Sequence, residues 1–457
     1  MRELSSIVKA YDIRGLVGTE LDEELVTAFG AAFARLVRAD SPAVVIGMDM
    51  RDSSPGLATA FADGVRAQGV DVISIGLAST DMLYFASGKL SLPGAMFTAS
   101  HNPARYNGIK LCRAGAAPIG QDSGLDTIAA EVTAGVPDHE GEQGTLTERD
   151  MLADYAAHLR GMVPELARSR PLSVVVDAGN GMGGHTVPSV FDGLPVDVRP
   201  MYFELDGTFP NHEANPLDPK NIVDLQAKVR ELGADAGLAF DGDADRCFVV
   251  DERGEPVSPS AITALVATRE LAKATAAGEQ SPTVIHNLIT SKAVPEIVAE
   301  HGGTPVRTRV GHSFIKEAMA ETGAIFGGEH SAHYYFRDFW RADTGMLAAL
   351  HVLAALGTQA TPLSELTGGY DRYAASGEIN STVTDQRDRM RAVREAFATR
   401  PGVQVDELDG LTVQLPEGAW FNLRPSNTEP LLRLNVEAAD VPAVRALTDE
   451  VLAIVRG

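Results

Sequence analysis

The sequence of 457 residues is poor in cysteine and in basic side chains. Its two cysteines, Cys112 and Cys247, lie far apart and form no CxxC pair, which argues against a disulfide framework and against a structural zinc site. The chain has 39 lysine and arginine residues against 62 aspartate and glutamate residues, so the formal net charge is −23. Proteins that bind nucleic acid need a basic face, and we therefore expect no nucleic-acid partner.

Long apolar runs are missing as well. No stretch of the sequence approaches the roughly 18 apolar residues that cross a bilayer, and residues 1–15 contain no apolar segment of a signal peptide. We therefore expect a cytoplasmic protein with no membrane partner. These observations leave the oligomeric state open.

Short apolar runs alternate with amphipathic helical patterns along most of the chain, which predicts an α/β fold. In the first part, the pattern predicts strands at 43–48, 70–75 and 95–98 and helices at 22–38 and 55–68. Residues 135–144 are rich in glycine, proline and acidic residues and interrupt the alternation, and we expect a new helix near Thr147. The first domain is therefore predicted to end at residue 146.

Two further stretches repeat the alternation, with a boundary at residue 255. Their predicted strands are 172–176, 196–201, 236–240, 283–286, 304–308 and 324–326. After the glycine pair at 368–369, strands at 411–415 and 431–436 and a helix at 441–455 predict a different, smaller unit. The sequence thus predicts three similar mixed α/β domains and a smaller C-terminal α+β domain, with boundaries at 1–146, 147–255, 256–369 and 370–457.

Each α/β domain carries a polar loop directly after a short apolar strand: TASHNP at 98–103, DGDADR at 241–246 and GEHS at 328–331. Ligands bind at the carboxyl ends of strands in open α/β sheets. Asp241, Asp243 and Asp245 alternate along an extended loop, so their carboxylates point to one side and suit a hard cation such as Mg²⁺. The alternative, a solvated acidic turn, is disfavoured by the apolar strands on both sides.

Ser100 and the segment RPSNT at 424–428 are the candidate phosphate-handling groups. A hydroxyl that accepts a phosphoryl group needs nearby cations, a metal ion and a proton acceptor, and Ser100 has His101 beside it and Lys110 ten residues later. Taken alone, this loop is equally consistent with a helix N-cap. Residues 424–428 combine a guanidinium, two hydroxyls and an amide, with Arg433 on the next predicted strand, which is the composition of a phosphate clamp.

Five motifs occur in the order KAYDIRG (9–15), TASHNP (98–103), DGDADR (241–246), GEHSAH (328–333) and RPSNTEP (424–430). In this order and at these spacings they resemble the α-D-phosphohexomutase family, in particular its phosphomannomutase/phosphoglucomutase branch, over essentially the whole chain. The resemblance implies four domains around a central cleft. They would be, in order, a phosphoserine-loop domain, a metal-binding domain, a sugar-binding domain and a phosphate-binding domain.

The resemblance also implies a role for each motif residue. Ser100 carries the transferred phosphoryl group and completes the magnesium site of Asp241, Asp243 and Asp245. His101, Lys110 and Arg246 are implied to act in proton and phosphoryl transfer. The residues implied to bind the substrate are Tyr11, Arg14, His312, Glu329, His330, Ser331, His333, Arg424, Ser426, Asn427, Thr428 and Arg433.

The implied reaction is an isomerisation of carbohydrate metabolism, in which the phosphoserine and a hexose phosphate exchange a phosphoryl group through a hexose 1,6-bisphosphate. Hexose phosphates are therefore the implied partners, and the bisphosphate is the implied activator. One departure affects a sugar contact. Relatives often carry a lysine just after the first strand of the third domain, whereas residues 286–290 contain none, and we expect Arg307 or Arg309 to supply the charge.

His330, His333 and the aromatic run 334–336 resemble members of the family that act on mannose and glucose. Phosphomannomutase activity is therefore expected first and phosphoglucomutase activity second. The alternatives are a phosphoglucosamine mutase and a noncatalytic sugar-phosphate sensor. The turn at 179–184 also fits the dinucleotide pattern GxGxxG, but we expect it to be a glycine-rich turn that opens a helix, with a dehydrogenase as the outside alternative.

Overall fold

The computed structural model describes residues 4–426 and 431–457. The chain forms two compact units, Met1–Pro259 with Ser331–Leu366 and Ser260–His330 with Thr367–Gly457. Across the described residues, no helix is both long enough and apolar enough to span a membrane. Both cysteines are buried thiols.

The first sheet lies in the first unit and contains seven strands. These are β1 (Ile13–Leu16), β2 (Ala43–Met48), β3 (Asp71–Leu77), β4 (Gly94–Phe97), β5 (Tyr106–Arg113), β6 (Ala117–Pro118) and β7 (Leu146–Glu148). Their order is β1-β5-β4-β2-β3-β7, with β6 paired to β5. Strands β4, β2 and β3 are parallel neighbours, so their carboxyl ends lie at the same edge of the sheet.

The helices of this region are α1 (Glu23–Val37), α2 (Ser54–Ala67), α3 (Thr80–Leu90) and α4 (Leu125–Ala134). Phe29 and Phe33 of α1 and Phe61 of α2 pack in one core with the aliphatic side chains of β2. Strand β2 is almost entirely buried, as a central parallel strand covered on both faces is. The predicted strand at 43–48 is confirmed, and α1 and α2 begin and end within a residue of their predicted bounds.

The predicted helix near Thr147 is wrong. Thr147 lies in β7, which pairs in parallel with β3 and aligns Thr147 with Ile73. The reason is a tether: the backbone N–H and the hydroxyl of Thr145 both donate to the carboxylate of Asp71, at 2.6 and 2.8 Å, and hold the segment against β3. The next helix, α5 (Leu152–Met162), begins four residues after β7 ends at Glu148.

The second sheet, also in the first unit, has the order β12-β11-β10-β8-β9. Its strands are β8 (Leu172–Asp177), β9 (Val196–Met201), β10 (Ala236–Phe240), β11 (Cys247–Asp251) and β12 (Pro256–Val257), with helices α6 (Gly183–Phe191) and α7 (Val223–Leu232). Strands β9, β8 and β10 are parallel, and β11 and β12 continue the sheet in antiparallel pairs. The predicted strands at 196–201 and 236–240 are confirmed.

The second unit contains three parallel strands with β13 in the middle. They are β13 (Thr283–Asn287), β14 (Thr304–Thr308) and β15 (Phe326–Gly328), accompanied by helices α8 (Pro259–Ala276), α9 (Ala293–Glu300) and α10 (His312–Thr322). The strand predicted at 324–326 starts two residues later, because the register with β13 aligns Phe326 with Val284.

Residues after His330 return to the first unit. There, β16 (Tyr334–Phe336) and β17 (Ala342–Asp343) form an antiparallel pair, followed by α11 (Gly345–Gly357) and α12 (Leu363–Gly368). The side chain of Thr344 caps α11 by accepting a hydrogen bond from the N–H of Leu347.

The last part of the second unit is an antiparallel sheet of order β18-β22-β21-β20-β19 with two helices. Its elements are β18 (Ala374–Thr382), α13 (Gln386–Ala398), β19 (Gln404–Asp406), β20 (Leu411–Gln414), β21 (Trp420–Pro425), β22 (Leu431–Ala438) and α14 (Val441–Arg456). One face of the sheet packs against apolar residues of both helices. This is the α+β architecture predicted for the C-terminal domain.

Candidate active site

Ser100 lies in a loop between β4 and β5, here called the serine loop (residues 98–106). Its side chain is 5% exposed, and its φ of 50° is in the left-handed region. The backbone N–H donates to the Thr98 hydroxyl at 2.9 Å, and the hydroxyl donates to Oδ2 of Asp241 at 2.9 Å. The loop runs into β5 at Tyr106, so the helix N-cap alternative is wrong.

Arg51, which the sequence analysis missed, holds the serine loop in place through hydrogen bonds. It is 1% exposed, and its Nε donates to the carboxylate of the buried Asp49 at 3.2 Å. The remaining four N–H groups of the guanidinium donate to backbone carbonyls of Ser100 (2.9 Å), Asn102 (2.7 Å), Pro103 (3.0 Å) and Tyr106 (3.1 Å). All five donors of the side chain are therefore used, four of them on this loop.

The aspartate loop (residues 241–246) connects β10 and β11. Asp241, Asp243 and Asp245 are buried, and each offers an oxygen within 4.8 Å of the others. Buried carboxylates repel one another unless a cation balances them, so three together favour bound positive charge. The structure thus brings the three predicted ligands together in one cluster.

Two side chains outside this loop determine how the carboxylates are oriented. Lys110, on β5, donates to Oδ2 of Asp243 at 2.7 Å and to Oδ2 of Asp245 at 2.6 Å, and Thr80 also donates to Oδ2 of Asp243. The Oδ1 atoms of Asp243 and Asp245 are buried and have no hydrogen-bond partner within the described part of the chain. Since buried polar atoms are normally satisfied, the two orphaned oxygens fit the ligand set of a divalent cation.

The charges of this cluster shift the pKa values in opposite directions. Burial raises the pKa of Asp241 above its usual range, despite the adjacent Arg246. Burial alone would raise the pKa of Asp243 too, but Lys110 and the Thr80 hydroxyl outweigh it and lower that pKa. Burial also opposes the charge of Lys110, yet the two carboxylates raise its pKa well above the usual lysine range. Lys110 is therefore an ammonium group at neutral pH.

Arg246 lies beside the serine hydroxyl. Its Nε donates to Oδ2 of Asp241 at 2.8 Å, and one Nη is 3.5 Å from Oγ of Ser100 and contacts Nδ1 of His101. Burial, followed by the charges of Arg246 and Arg14, lowers the pKa of His101 well below its usual value, so this imidazole is neutral. Arg14 contacts the same loop through the side chain of Asn102, at 2.7 Å.

The glycine-rich turn at 179–184 packs directly against the aspartate loop. A Cβ on Gly181 would lie 2.6 Å from the carbonyl oxygen of Gly242, and a Cβ on Gly242 would lie 2.4 Å from that of Ser100. The N–H of Met182 donates to the Gly242 carbonyl at 2.9 Å. These glycines bring three loops together, and this packing explains the GxGxxG pattern without a dinucleotide.

The loop at 328–333 divides between the two units. In the first unit, Ser331 and His333 interact through the serine hydroxyl and Nδ1 at 3.0 Å, and Nε2 of His333 is 3.7 Å from Oδ1 of Asp245. Backbone pairing of Arg246 with His333 brings this segment to the aspartate loop. Asp343, which sequence reasoning missed, also lies beside Asp245 and His333.

In the second unit, Glu329 follows β15 and is 2% exposed. One carboxylate oxygen accepts hydrogen bonds from the Asn287 amide at 3.1 Å and from the backbone N–H of Gly311 at 3.2 Å. His330 instead faces the Ser260 hydroxyl at 3.2 Å, and burial lowers its pKa. The two neighbouring residues therefore have different surroundings.

Two arginines lie opposite each other on neighbouring strands of the C-terminal sheet. Arg424 on β21 is directly opposite Arg433 on β22, an arrangement that is unfavourable for like charges. Glu378 on β18 lies between them, 3.0 Å from Arg424 and 3.7 Å from Arg433. Among the residues that the structure describes, neither Nε atom, both of which are buried, has a hydrogen-bond partner. Ser426, two positions after Arg424, is also buried. The sheet therefore brings together the two arginines of the predicted phosphate clamp.

For the remaining predicted substrate contacts we report their positions in the fold. Tyr11 precedes β1, and His312 begins α10. Asn427 and Thr428 lie outside the described residues.

Both arginines expected to replace the missing lysine have partners within the second unit. Arg307 forms an ion pair with Asp406, and Arg309 lies over the ring of Phe314 at 4.7 Å. At the end of β13 the chain instead presents Asn287, a neutral amide, to Glu329.

Four family models together match most of the chain. They are described as phosphoglucomutase/phosphomannomutase alpha/beta/alpha domain I over residues 5–137, domain II over 153–254, domain III over 258–373 and the C-terminal domain over 378–454. Three α/β domains and a different C-terminal domain are the predicted fold class, which is confirmed.

Similar proteins point the same way. A phosphomannomutase of Escherichia coli is 40% identical over 461 residues, covering 98% of both chains. A protein named phosphohexose mutases, from Xanthomonas campestris pv. campestris, is 40% identical over 459 residues and covers 98% of this chain and 99% of its own. The crystal structure of a phosphoglucomutase/phosphomannomutase family protein from Burkholderia thailandensis has a TM-score of 0.88 at 33% identity, covering 99% of this chain and 97% of that one.

Proposed function

The chain belongs to the phosphoglucomutase/phosphomannomutase family, and we propose that it interconverts mannose 6-phosphate and mannose 1-phosphate and also acts on glucose phosphates. The observation that carries the proposal is the buried hydroxyl of Ser100, which donates to Asp241 and lies beside Arg246. Phosphoryl transfer needs an oxygen surrounded by positive charge and a cation site, and this part of the first unit offers both. Relatives named phosphomannomutase favour mannose as the first substrate.

The proposed reaction consists of two phosphoryl transfers. In the first, the bond between phosphorus and Oγ of Ser100 breaks as the free sugar hydroxyl forms the new bond to phosphorus, and the hydroxyl proton ends on Ser100. The product is a hexose 1,6-bisphosphate, which turns over within the site. Ser100 then attacks the other phosphoryl group, and its proton passes to the sugar oxygen that leaves. The bisphosphate is the proposed activator because it phosphorylates Ser100 directly.

Three side chains near Ser100 serve these transfers. Arg246 holds the transferring phosphoryl group through its guanidinium. Lys110 and His101 are the two candidates for the proton relay. They differ in charge, since the carboxylates keep Lys110 protonated whereas burial and two arginines keep His101 neutral.

Asp241, Asp243 and Asp245 are the proposed ligands of Mg²⁺, together with an oxygen of phosphorylated Ser100. When bound, the cation stabilises negative charge on the transferring group. The orphaned Oδ1 atoms of Asp243 and Asp245 support this set, because a hard cation with oxygen ligands satisfies them.

Removal of magnesium is expected to abolish activity. Treatment with EDTA removes the counter-charge of three buried carboxylates, and added Mg²⁺ restores turnover, whereas Ca²⁺, which accepts looser geometry, inhibits. The Asp243→Asn variant requires a higher Mg²⁺ concentration for half-maximal rate. The control is Asp197→Asn, an exposed carboxylate paired with Arg199. Full activity in metal-free buffer would contradict the proposal.

The sugar and the phosphate that is not reacting are assigned to other residues. Glu329 and Ser331 are proposed to bind the equatorial C3 and C4 hydroxyls that mannose and glucose share, with His312, His330, His333, Tyr11 and Arg14 as further contacts. Arg424, Ser426, Asn427, Thr428 and Arg433 are the proposed clamp for the phosphate. The proposed domain boundaries remain 1–146, 147–255, 256–369 and 370–457.

Changing Glu329 to glutamine is expected to reduce kcat/KM for mannose 1-phosphate and glucose 1-phosphate by similar factors. Loss of one charge-assisted hydrogen bond corresponds to roughly 1.5–3 kcal/mol, or about ten- to a hundredfold. Glutamine retains an oxygen that accepts from Asn287 and Gly311, so the loop itself is preserved. Parallel kinetics on the two sugars decide the matter, and a loss confined to one sugar would show that this loop reads the configuration at C2.

The proposed function is tested directly by following mannose 6-phosphate with phosphorus NMR after adding the enzyme, Mg²⁺ and a trace of hexose 1,6-bisphosphate. We expect mannose 1-phosphate to appear, and glucosamine phosphates to react more slowly. Binding of hexose phosphates without any isomerisation would instead identify a noncatalytic sensor.

A further inference from the structure

We propose that Thr80 is a positioning residue of the cation site, whose hydroxyl determines which oxygen of Asp243 faces the cation. Thr80 is the first residue of α3 and is completely buried. The inference rests on one part of the proposed function, namely that a divalent cation binds the aspartate loop.

Thr80 holds Asp243 at two points. Its hydroxyl donates to Oδ2 of Asp243 at 2.5 Å, and its backbone N–H donates to the carbonyl oxygen of the same residue at 3.0 Å. Lys110 donates to the same Oδ2 at 2.7 Å. Both donors therefore select one carboxylate oxygen, and the buried Oδ1 accepts no hydrogen bond from any residue that the structure describes.

The hydroxyl differs from the ammonium group in its charge. Lys110 orients the carboxylates of Asp243 and Asp245, but its positive charge also opposes a second cation nearby. Thr80 orients Asp243 without adding charge. Its hydroxyl thus helps to fix the plane of the carboxylate without adding a charge that opposes the cation, as partners behind metal ligands commonly do.

Thr80 is itself held by a buried network around Asp81. The carboxylate of Asp81 accepts hydrogen bonds from the hydroxyls of Ser79, Tyr155 (2.7 Å) and Thr344 (2.6 Å). Ser79 also caps α3 by accepting from the N–H of Met82. The start of α3 is therefore anchored to α5 and to the cap of α11, and this fixes the position of the backbone that carries the Thr80 hydroxyl.

The test is the affinity of the full-length, dephosphorylated protein for Mg²⁺ alone, measured by isothermal titration calorimetry without substrate. Because a partner behind a metal ligand typically contributes about 10–100-fold to affinity, Thr80→Val is expected to raise the Kd for Mg²⁺ at least about tenfold. Thr80→Ser, which keeps the hydroxyl, restores affinity to within about threefold of wild type. Thr80→Ala provides a smaller variant, should valine disturb folding as judged by circular dichroism.

The matched control is Thr186→Val, because Thr186 is equally buried and its hydroxyl donates to the carbonyl of Met182, the N-cap residue of its own helix. Unchanged Mg²⁺ affinity in both Thr80→Val and Thr80→Ala would overturn the inference, as would a serine variant that binds as weakly as valine. A wild-type protein that binds no Mg²⁺ would overturn both this inference and the magnesium proposal. A wild-type protein that binds Mg²⁺ but isomerises no hexose phosphate would refute only the proposed function.

Discussion

Replacing Ser100 with alanine is expected to reduce mutase activity to less than a tenth of the wild-type rate, with the fold intact. The hydroxyl is the oxygen that donates to Asp241 and lies beside Arg246, and no oxygen replaces it as phosphoryl carrier in the variant. Activity is measured as conversion of mannose 6-phosphate to mannose 1-phosphate. Intact-mass analysis should show one phosphoryl group on the wild-type chain, mapped to Ser100, and none on the variant.

Ser91→Ala is the matched control for this experiment. Ser91 has a φ of 55°, in the same left-handed region as Ser100 at 50°, so the two changes impose the same backbone requirement on alanine. Only the Ser100 variant should lose activity. If it kept more than about a tenth of the wild-type kcat, a loss below roughly 1.4 kcal/mol of transition-state stabilisation, Ser100 would not be the phosphoryl carrier.

Arg51→Met is expected to destabilise the protein more than any other single change discussed here. Methionine leaves the buried carboxylate of Asp49 unpaired and four carbonyls of the serine loop without donors. Removing one partner of a buried ion pair typically destabilises by about 3–5 kcal/mol. At about 2–4 °C per kcal/mol for a domain of this size, the Tm of the first unfolding transition should fall by about 10 °C in differential scanning calorimetry.

Arg66→Met supplies the comparison for this measurement. Arg66 also donates to a backbone carbonyl, at 3.0 Å, and contacts a carboxylate, at 3.2 Å, but both are partly or largely exposed. Exposed pairs contribute about 0–1 kcal/mol, so its Tm should change by no more than a few degrees. Equal shifts in the two variants would show that the serine loop does not depend on the buried guanidinium.

Most of the helices and strands could be predicted because they follow from the periodicity of apolar residues along the chain. Strand β2 and helices α1 and α2 follow the hydrophobic pattern closely. The helix expected near Thr147 failed for a different reason. The tether from Asp71 to Thr145, 74 positions apart in sequence, adds this segment to the sheet as β7, and no local pattern contains such a contact.

The catalytic loops could be located for a related reason. Ser100 and Asp241 each follow a short apolar strand, and the carboxyl ends of strands are where ligands bind in such sheets. The same rule, applied to every strand, would also have pointed to Arg51 after β2 and Thr80 after β3.

The sequence by itself determined the α/β alternation, the different C-terminal domain and the candidate loops, because each depends on residues that are neighbours along the chain. The tertiary structure alone decided which distant side chains act on those loops. The parallel order β4-β2-β3 places the ends of three strands at one sheet edge, so Arg51 reaches the carbonyls of the serine loop and Thr80 reaches Asp243, 163 positions away. Hydrogen bonds of this kind depend on how strands are ordered in space, which local sequence patterns do not encode.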